Sequence, residues 1–171
     1  HFDEVYWNGT VGEVIDAMGR NNGTAQNSTG RANTTNIGNY PYNRVGNFDG
    51  ISTYINATEP TATLTVSANY TISLWYKTNS SANAYLLYSG SASSNRHLIQ
   101  LSSGSTVLVG SWNGTSYYQK SGTASLNNWH HVVYSHLSNM TNYLYIDGVS
   151  QTGAAVPSSA TITELRIGFD T

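Results

Sequence analysis

Hydrophobic and polar residues alternate in short runs through most of the chain from Phe48 onward. In Tyr70–Lys77, Ile72, Leu74 and Tyr76 fall on one phase and Ser73 and Trp75 on the other. In Asn142–Asp147, Leu144 and Ile146 oppose Tyr143 and Tyr145. A period of two places such residues on alternate faces of a strand. The pattern predicts strands near Gly46–Phe48, Ser52–Ile55, Tyr70–Thr78, Ala84–Ser89, His97–Ser102, Thr106–Trp112, Ser116–Lys120, His130–Leu137, Tyr143–Ile146 and Thr161–Gly168. Asp147-Gly148 is a tight hairpin signal, since glycine takes positive φ without steric cost. The first ~45 residues read as a strand-like piece at Phe2–Trp7 followed by polar loop. A helical turn over Val11–Met18 is disfavoured by Gly12 and Gly19. Many short strands, regular turns and no long helical pattern predict an all-β, antiparallel two-sheet sandwich, with under a tenth of residues in helix. Trp75 and Trp129, large apolar side chains at strand positions, are expected as buried anchors.

Composition narrows the chemistry. With 171 residues and no internal repeat the chain reads as one domain. It contains no cysteine, which removes thiol catalysis, thiolate metal sites and disulfides. Charged residues make up 9% of the chain and the net charge is −2. That lacks the basic footprint of a nucleic-acid binder and the charged face that holds a protein on an anionic membrane. No apolar stretch reaches the length of a membrane span. The polar surface is instead Ser, Thr, Asn, Gly and Tyr, neutral groups suited to hydrogen-bonding sugars.

Four pieces stand in a fixed order: FDGISTYI at Phe48–Ile55, YTISLWYKT at Tyr70–Thr78, NWHHVVYSHLSNMTNYLYIDGV at Asn128–Val149 and ITELRIG at Ile162–Gly168. Together they resemble laminin-G-like (concanavalin A-like) jelly-roll domains across nearly the whole chain. Asp3–Ala25 is similar to the opening of such domains in large prokaryotic surface and pilus-biogenesis proteins. The resemblance implies an extracellular or cell-surface, non-catalytic, lectin-like module that binds carbohydrate or glycoconjugate. The alternative is a glycosylated structural subunit of an extracellular filament or surface layer that assembles with copies of itself. A glycoside hydrolase is the remote third reading. Family members continue past the LRIG strand into a last strand, so this chain is expected to leave an open sheet edge near Phe2–Trp7, a template for a second copy.

Candidate sites follow. Glucanases on this sandwich use carboxylates that share one face of a strand, and no Glu-x-Asp-x-Glu set occurs here. Related domains often hold a structural calcium near the N-terminal loop. Asp16, with Asn21 in the loop and Asp3 nearby, offers the hard oxygens calcium requires, although an ordinary Asx-type turn fits the same residues. For sugar, Trp112, Tyr117 and Tyr118 flank a Gly114 turn, and Asn95, Arg96 and His97 lie at another strand edge. The same aromatics also suit cross-strand pairs. His130 and His131 are adjacent and should face opposite ways. Glycosylation sequons stand at Asn8, Asn22, Asn27, Asn33, Asn56, Asn69, Asn79, Asn113 and Asn139. Asn22, Asn27, Asn79 and Asn113, beside Gly or Ser, are expected to be the most accessible.

Overall fold

A computed structural model describes residues 4, 6–19, 21–26, 33–36, 44–50, 52–57, 69–91, 94–103, 105–112, 117–138, 141–153 and 165–169, with backbone alone at 33–36, 90–91, 94–98, 111–112, 117–118 and 169. The strands are β1 (Gly23–Gln26), β2 (Asn33–Asn36), β3 (Arg44–Asn47), β4 (Tyr54–Ala57), β5 (Tyr70–Tyr76), β6 (Ala84–Ser91), β7 (Ser94–Ser102), β8 (Thr106–Trp112), β9 (Tyr117–Thr123), β10 (His130–His136), β11 (Asn142–Ile146), β12 (Val149–Gln151) and β13 (Leu165–Phe169). They form a seven-stranded sheet, β1-β4-β13-β6-β7-β8-β9, a four-stranded sheet, β12-β11-β10-β5, and a β2-β3 hairpin. Every named pairing is antiparallel. No helix occurs among the described residues.

Alternation sets the core. Along β10 the burial runs strictly in and out, with His130, Val132, Tyr134 and His136 inside. Leu144 and Ile146 of β11 meet Ile99, Leu101, Val107 and Val109 from the large sheet in one apolar cluster. Burying a side chain of this size contributes ~1.5–3 kcal/mol, so these few positions outweigh any surface contact. Sharp turns join the strands. At Asp147-Gly148 both residues have positive φ, 50° and 80°, the two-residue geometry whose twist matches the flanking strands. Lys120 of β9 bridges Gly153, which ties the end of the small sheet to the last strand of the large one.

A second, smaller core lies where the N-terminal segment crosses the large sheet. Trp7, Val14, Ala25 and Ile55 are buried there, with Phe48 and Ile167 packed against them. Gly168 has φ +72°, and a Cβ there would collide with the Phe48 ring. Two of the sequence pieces, FDG and LRIG, are therefore in contact, and the second needs its glycine for that contact.

Three expectations require correction. Trp75 and Trp129 are not core anchors: they are 64% and 39% exposed. Trp75 occupies the phase of β5 opposite Ile72, Leu74 and Tyr76, and strand phase overrides the preference of the side chain for burial. Among the tryptophans whose side chains are described, Trp7 is the buried one, at 0% exposure. No strand runs through the described residues Glu4, Tyr6 and Trp7, and the edge strand of the large sheet on that side is β1; Phe2, Asp3 and Val5 lie outside the described residues. β13, the LRIG strand, sits between β4 and β6.

Candidate functional site

The outward positions of the four-stranded sheet form a nearly uncharged polar-aromatic surface. β5 contributes Thr71, Ser73 and Trp75, which pair across to Ser135, Val133 and His131 of β10. Val133 and Ser135 pair onward to Tyr145 and Tyr143 of β11, and Tyr145 to Ser150 of β12. The inward residues of the same strands are locked in the core, which fixes the outward set in register. Trp75 stacks on His131, with centroids 4.8 Å apart and planes within 17°. His131 Nε2 lies 2.8 Å from Ser73 Oγ, and Thr71 Oγ1 donates to Ser135 Oγ at 3.1 Å. An indole with one face covered and 64% of its surface exposed has its second face open. Tyr143 is 41% exposed. This arrangement offers an aromatic plate beside hydroxyl and imidazole groups. Expecting Trp75 in the core hides this plate at the level of sequence, although its phase opposite Leu74 is the available signal.

Beneath this face two polar clusters fix the sheet. His130 Nδ1 is 2.7 Å from Asp147 Oδ2, and Nε2 lies 2.9 Å from the Ser125 carbonyl and 3.2 Å from its hydroxyl. A charge relay needs the Nε2 lone pair aimed at the hydroxyl. Here the carbonyl is the nearer partner, and the Asn128 amide donates to that hydroxyl at 3.0 Å. The grouping therefore works as a clamp on the β11–β12 turn, with Asp147 Oδ1 accepting the backbone N–H of His131 at 2.8 Å. The His131 N–H, then His130, hold the Asp147 carboxyl below its ordinary range. At the other end, Asn142 Oδ1 accepts from Tyr134 OH at 2.9 Å and lies 2.7 Å from His136 Nδ1, which makes Nδ1 the protonated nitrogen. Tyr70 stacks on His136 at 4.9 Å, and burial pushes its phenol up to about 12.

The described carboxylates serve backbone N–H groups. Glu4 accepts from Ile15 N and Trp7 Nε1. Glu13 accepts from Asn8 N and Gly9 N. Asp49 accepts from Ser52 N, Thr53 N and Thr53 Oγ1. Asp16 accepts from Met18 N on one oxygen and Asn21 N on the other, both at 3.2 Å. This bears on calcium, which takes six to eight oxygen ligands. Each of these two bonds takes one lone pair of a carboxylate oxygen. No group of three or more His, Asp or Glu suited to a metal occurs among the described residues, and Asp3 lies outside them.

The sugar-site candidates lie at the far end of the large sheet. Register puts Arg96, Trp112 and Tyr117 in one cross-strand row and His97, Ser111 and Tyr118 in the next, with Asn95 beside them on β7. Only backbone is described for these six candidates, and residues 113–116 lie outside the description. Among the sequons, Asn8, Asn69 and Asn79 are exposed. Asn8 Oδ1 accepts from Thr10 N at 2.9 Å, and Asn69 Oδ1 from Ser138 N at 2.7 Å. Asn22 is half-buried and its Oδ1 accepts from Asp16 N at 3.0 Å, so it is more confined than its Gly neighbour suggested. Asn56 is half-buried in β4, with Oδ1 buried and without a hydrogen-bond partner. Asn33 is described by backbone alone, and Asn27, Asn113 and Asn139 fall outside the described residues.

Comparison with known proteins agrees with this architecture. The profile of a laminin-G family, described as the concanavalin A-like lectin/glucanases superfamily, matches residues 48–171. The chain belongs to that superfamily. No curated protein sequence matches it. Among solved structures, domains LG4-5 of the mouse laminin alpha1 chain are similar with a TM-score of 0.52 at 21% identity, covering 64% of this chain and 30% of that one. A botulinum neurotoxin type C structure, concerned with cell entry through two ganglioside molecules, gives 0.64 at 12% identity, covering 98% and 43%. The binding domain of botulinum neurotoxin DC in complex with rat synaptotagmin II gives 0.65 at 13%, covering 95% and 42%. The chain spans less than half the length of each. At these identities the likeness establishes a concanavalin A-like sandwich.

Proposed function

We propose that this superfamily member is a non-catalytic, lectin-like glycan-binding or adhesion module of an extracellular surface protein. The observation that carries the reading is Trp75, exposed and held flat against His131 on an outward face of hydroxyl and phenol groups. Sugars present apolar C–H faces and a rim of hydroxyls, and such a plate with neutral donors and acceptors complements both. The carboxylates support the non-catalytic part, since Glu4, Glu13, Asp16, Asp49 and Asp147 are each engaged by N–H donors. The superfamily includes lectins, and among structural relatives one neurotoxin structure concerns gangliosides and another a sialyl ligand. The test is a glycan array probed with the wild-type chain and with Trp75→Ala. The expected result is binding to a restricted glycan set that falls about tenfold or more in the variant, the scale of one lost aromatic contact. Binding that is indifferent to Trp75, or no glycan binding, overturns the reading.

A further inference from the structure

The outward face of the four-stranded sheet carries more than the one aromatic plate, and its register gives it a length. Trp75 pairs with His131 and Tyr143 pairs with Ser135, so the two aromatics are offset by the β10 segment from His131 to Ser135 and by two strand spacings. At ~3.4 Å per residue and ~4.8 Å between strands, that diagonal is about 17 Å, the length of a tri- or tetrasaccharide. Between the ends lie Ser73, Val133 and Tyr145. The indole N–H of Trp75 and the phenols of Tyr143 and Tyr145 have no protein hydrogen-bond partner among the described residues. None of the outward residues of these strands named above is Asp, Glu, Lys or Arg.

From this we infer that the site binds an extended, uncharged oligosaccharide laid diagonally from Trp75 to Tyr143, in preference to a single terminal sugar or an acidic glycan. The inference rests on the glycan-binding reading. Charge complementarity selects the occupant: the outward strand positions named above carry no formal charge, the flanking Lys77 and Asp147 are of opposite sign, and a described face of no net charge offers little to offset the desolvation of a carboxylate or sulfate, while a polyhydroxylated neutral chain needs only stacking and shared hydroxyl hydrogen bonds. Length selects the chain over the monosaccharide, because a ligand that ends beside Trp75 leaves the Tyr143 end empty.

The experiment titrates the chain with neutral gluco- and manno-oligosaccharides from one to six residues, and with sialylated and sulfated glycans, at low and high salt. Trp75→Ala and Tyr143→Ala are compared, with melting temperature as the check that both fold; each side chain is outward and exposed, so both are expected to. Affinity should rise about tenfold from disaccharide to tetrasaccharide and then level off. Tyr143→Ala should remove that gain, while Trp75→Ala weakens every length. Salt should change the affinity less than twofold. A monosaccharide as tight as a tetrasaccharide, a steep preference for acidic glycans, or a Tyr143→Ala variant with an unchanged length profile overturns the inference. In those cases Trp75-dependent binding still upholds the glycan reading. Absence of binding to every glycan overturns both.

Discussion

The N-terminal segment and the four-stranded sheet are ordered by different means. Among the described residues of 4–26, Trp7, Val14 and Ala25 are the buried hydrophobic ones. Their path is fixed by carboxylates: Glu4 holds Ile15, Glu13 holds Asn8 and Gly9, and Asp16 holds Met18 and Asn21. The four-stranded sheet carries no carboxylate in its strands, and its order comes from alternate side chains meeting the opposite sheet. In the first region the charged residues are consumed in holding loops. In the second the outward half of each strand is left free of structural duty, and that half is where a ligand surface is available. A chain with so few charges has spent most of its described acids on backbone.

The contrast predicts a graded series. Trp7→Ala removes the largest fully buried side chain among the described residues, at a cost of about 3–5 kcal/mol. Because Trp7 packs with Ile55 of β4 and beside Ile167 of β13, the loss should lower the global denaturation midpoint. A local loosening of residues 4–26 with an unchanged midpoint would make the two regions independent. Leu144→Ala, fully buried on the sheet side, should cost about 2–5 kcal/mol by the same measure. Asp49→Ala comes next. It strips the hydrogen bonds from Ser52 N, Ser52 Oγ, Thr53 N and Thr53 Oγ1 and leaves the Thr53 O–H and N–H donors short of an acceptor in a residue that is 1% exposed, a loss of about 1–3 kcal/mol. Urea melts of the purified variant check this, and a change within ~0.5 kcal/mol, the scale of an ordinary surface substitution, would remove the carboxylate's role in this loop.

The same contrast explains what could be read from the sequence. The strands from β4 to β11 and β13 were visible as alternation, since one face of each must be buried and the period records it. For Trp75 phase outranks residue type: it sits between Leu74 and Tyr76, both inward, and can only point out, whereas Trp129 precedes β10 and has no strand phase. β1 and β2, with the sequences GTAQ and NTTN, carry no alternation of large apolar residues and read as loop. The role of the acids was also illegible. Glu4 reaches Ile15 and Glu13 reaches back to Asn8, contacts set by the loop path, which no spacing rule announces. The platform is half legible: Ser73, Trp75, Tyr143 and Tyr145 stand on the outward phase, but the aromatics around Gly114 give an equally strong sequence signal.

Outward residues should be nearly neutral for stability. Trp75→Ala loses its stack on His131 and little buried area, so it should change stability by about 0.5–1.5 kcal/mol at most even where glycan binding falls tenfold. A larger loss would show that the platform is structural.

The smallest effect belongs to Asp147, where the two kinds of order meet on one residue. Its carboxylate is held low first by the His131 N–H and then by His130. A carboxyl whose folded pKa lies below its unfolded value adds stability that is present above the unfolded pKa, near 3.8, and is lost as pH falls through the folded value. The denaturation midpoint should therefore drop on acidification below about pH 4. The side chain is 47% exposed, and ion pairs so placed contribute only ~0.2–1 kcal/mol. Asp147→Asn isolates this contribution. Asn tolerates the positive φ of 50° and with Gly148 forms the favoured two-residue turn, and its amide oxygen still accepts the His131 N–H. The hairpin should persist while the charge is gone. Midpoints measured from pH 7 to pH 2.5 should converge between wild type and variant at the acid end and separate slightly above pH 4. Parallel curves across that range would show that the clamp works through its hydrogen bonds alone.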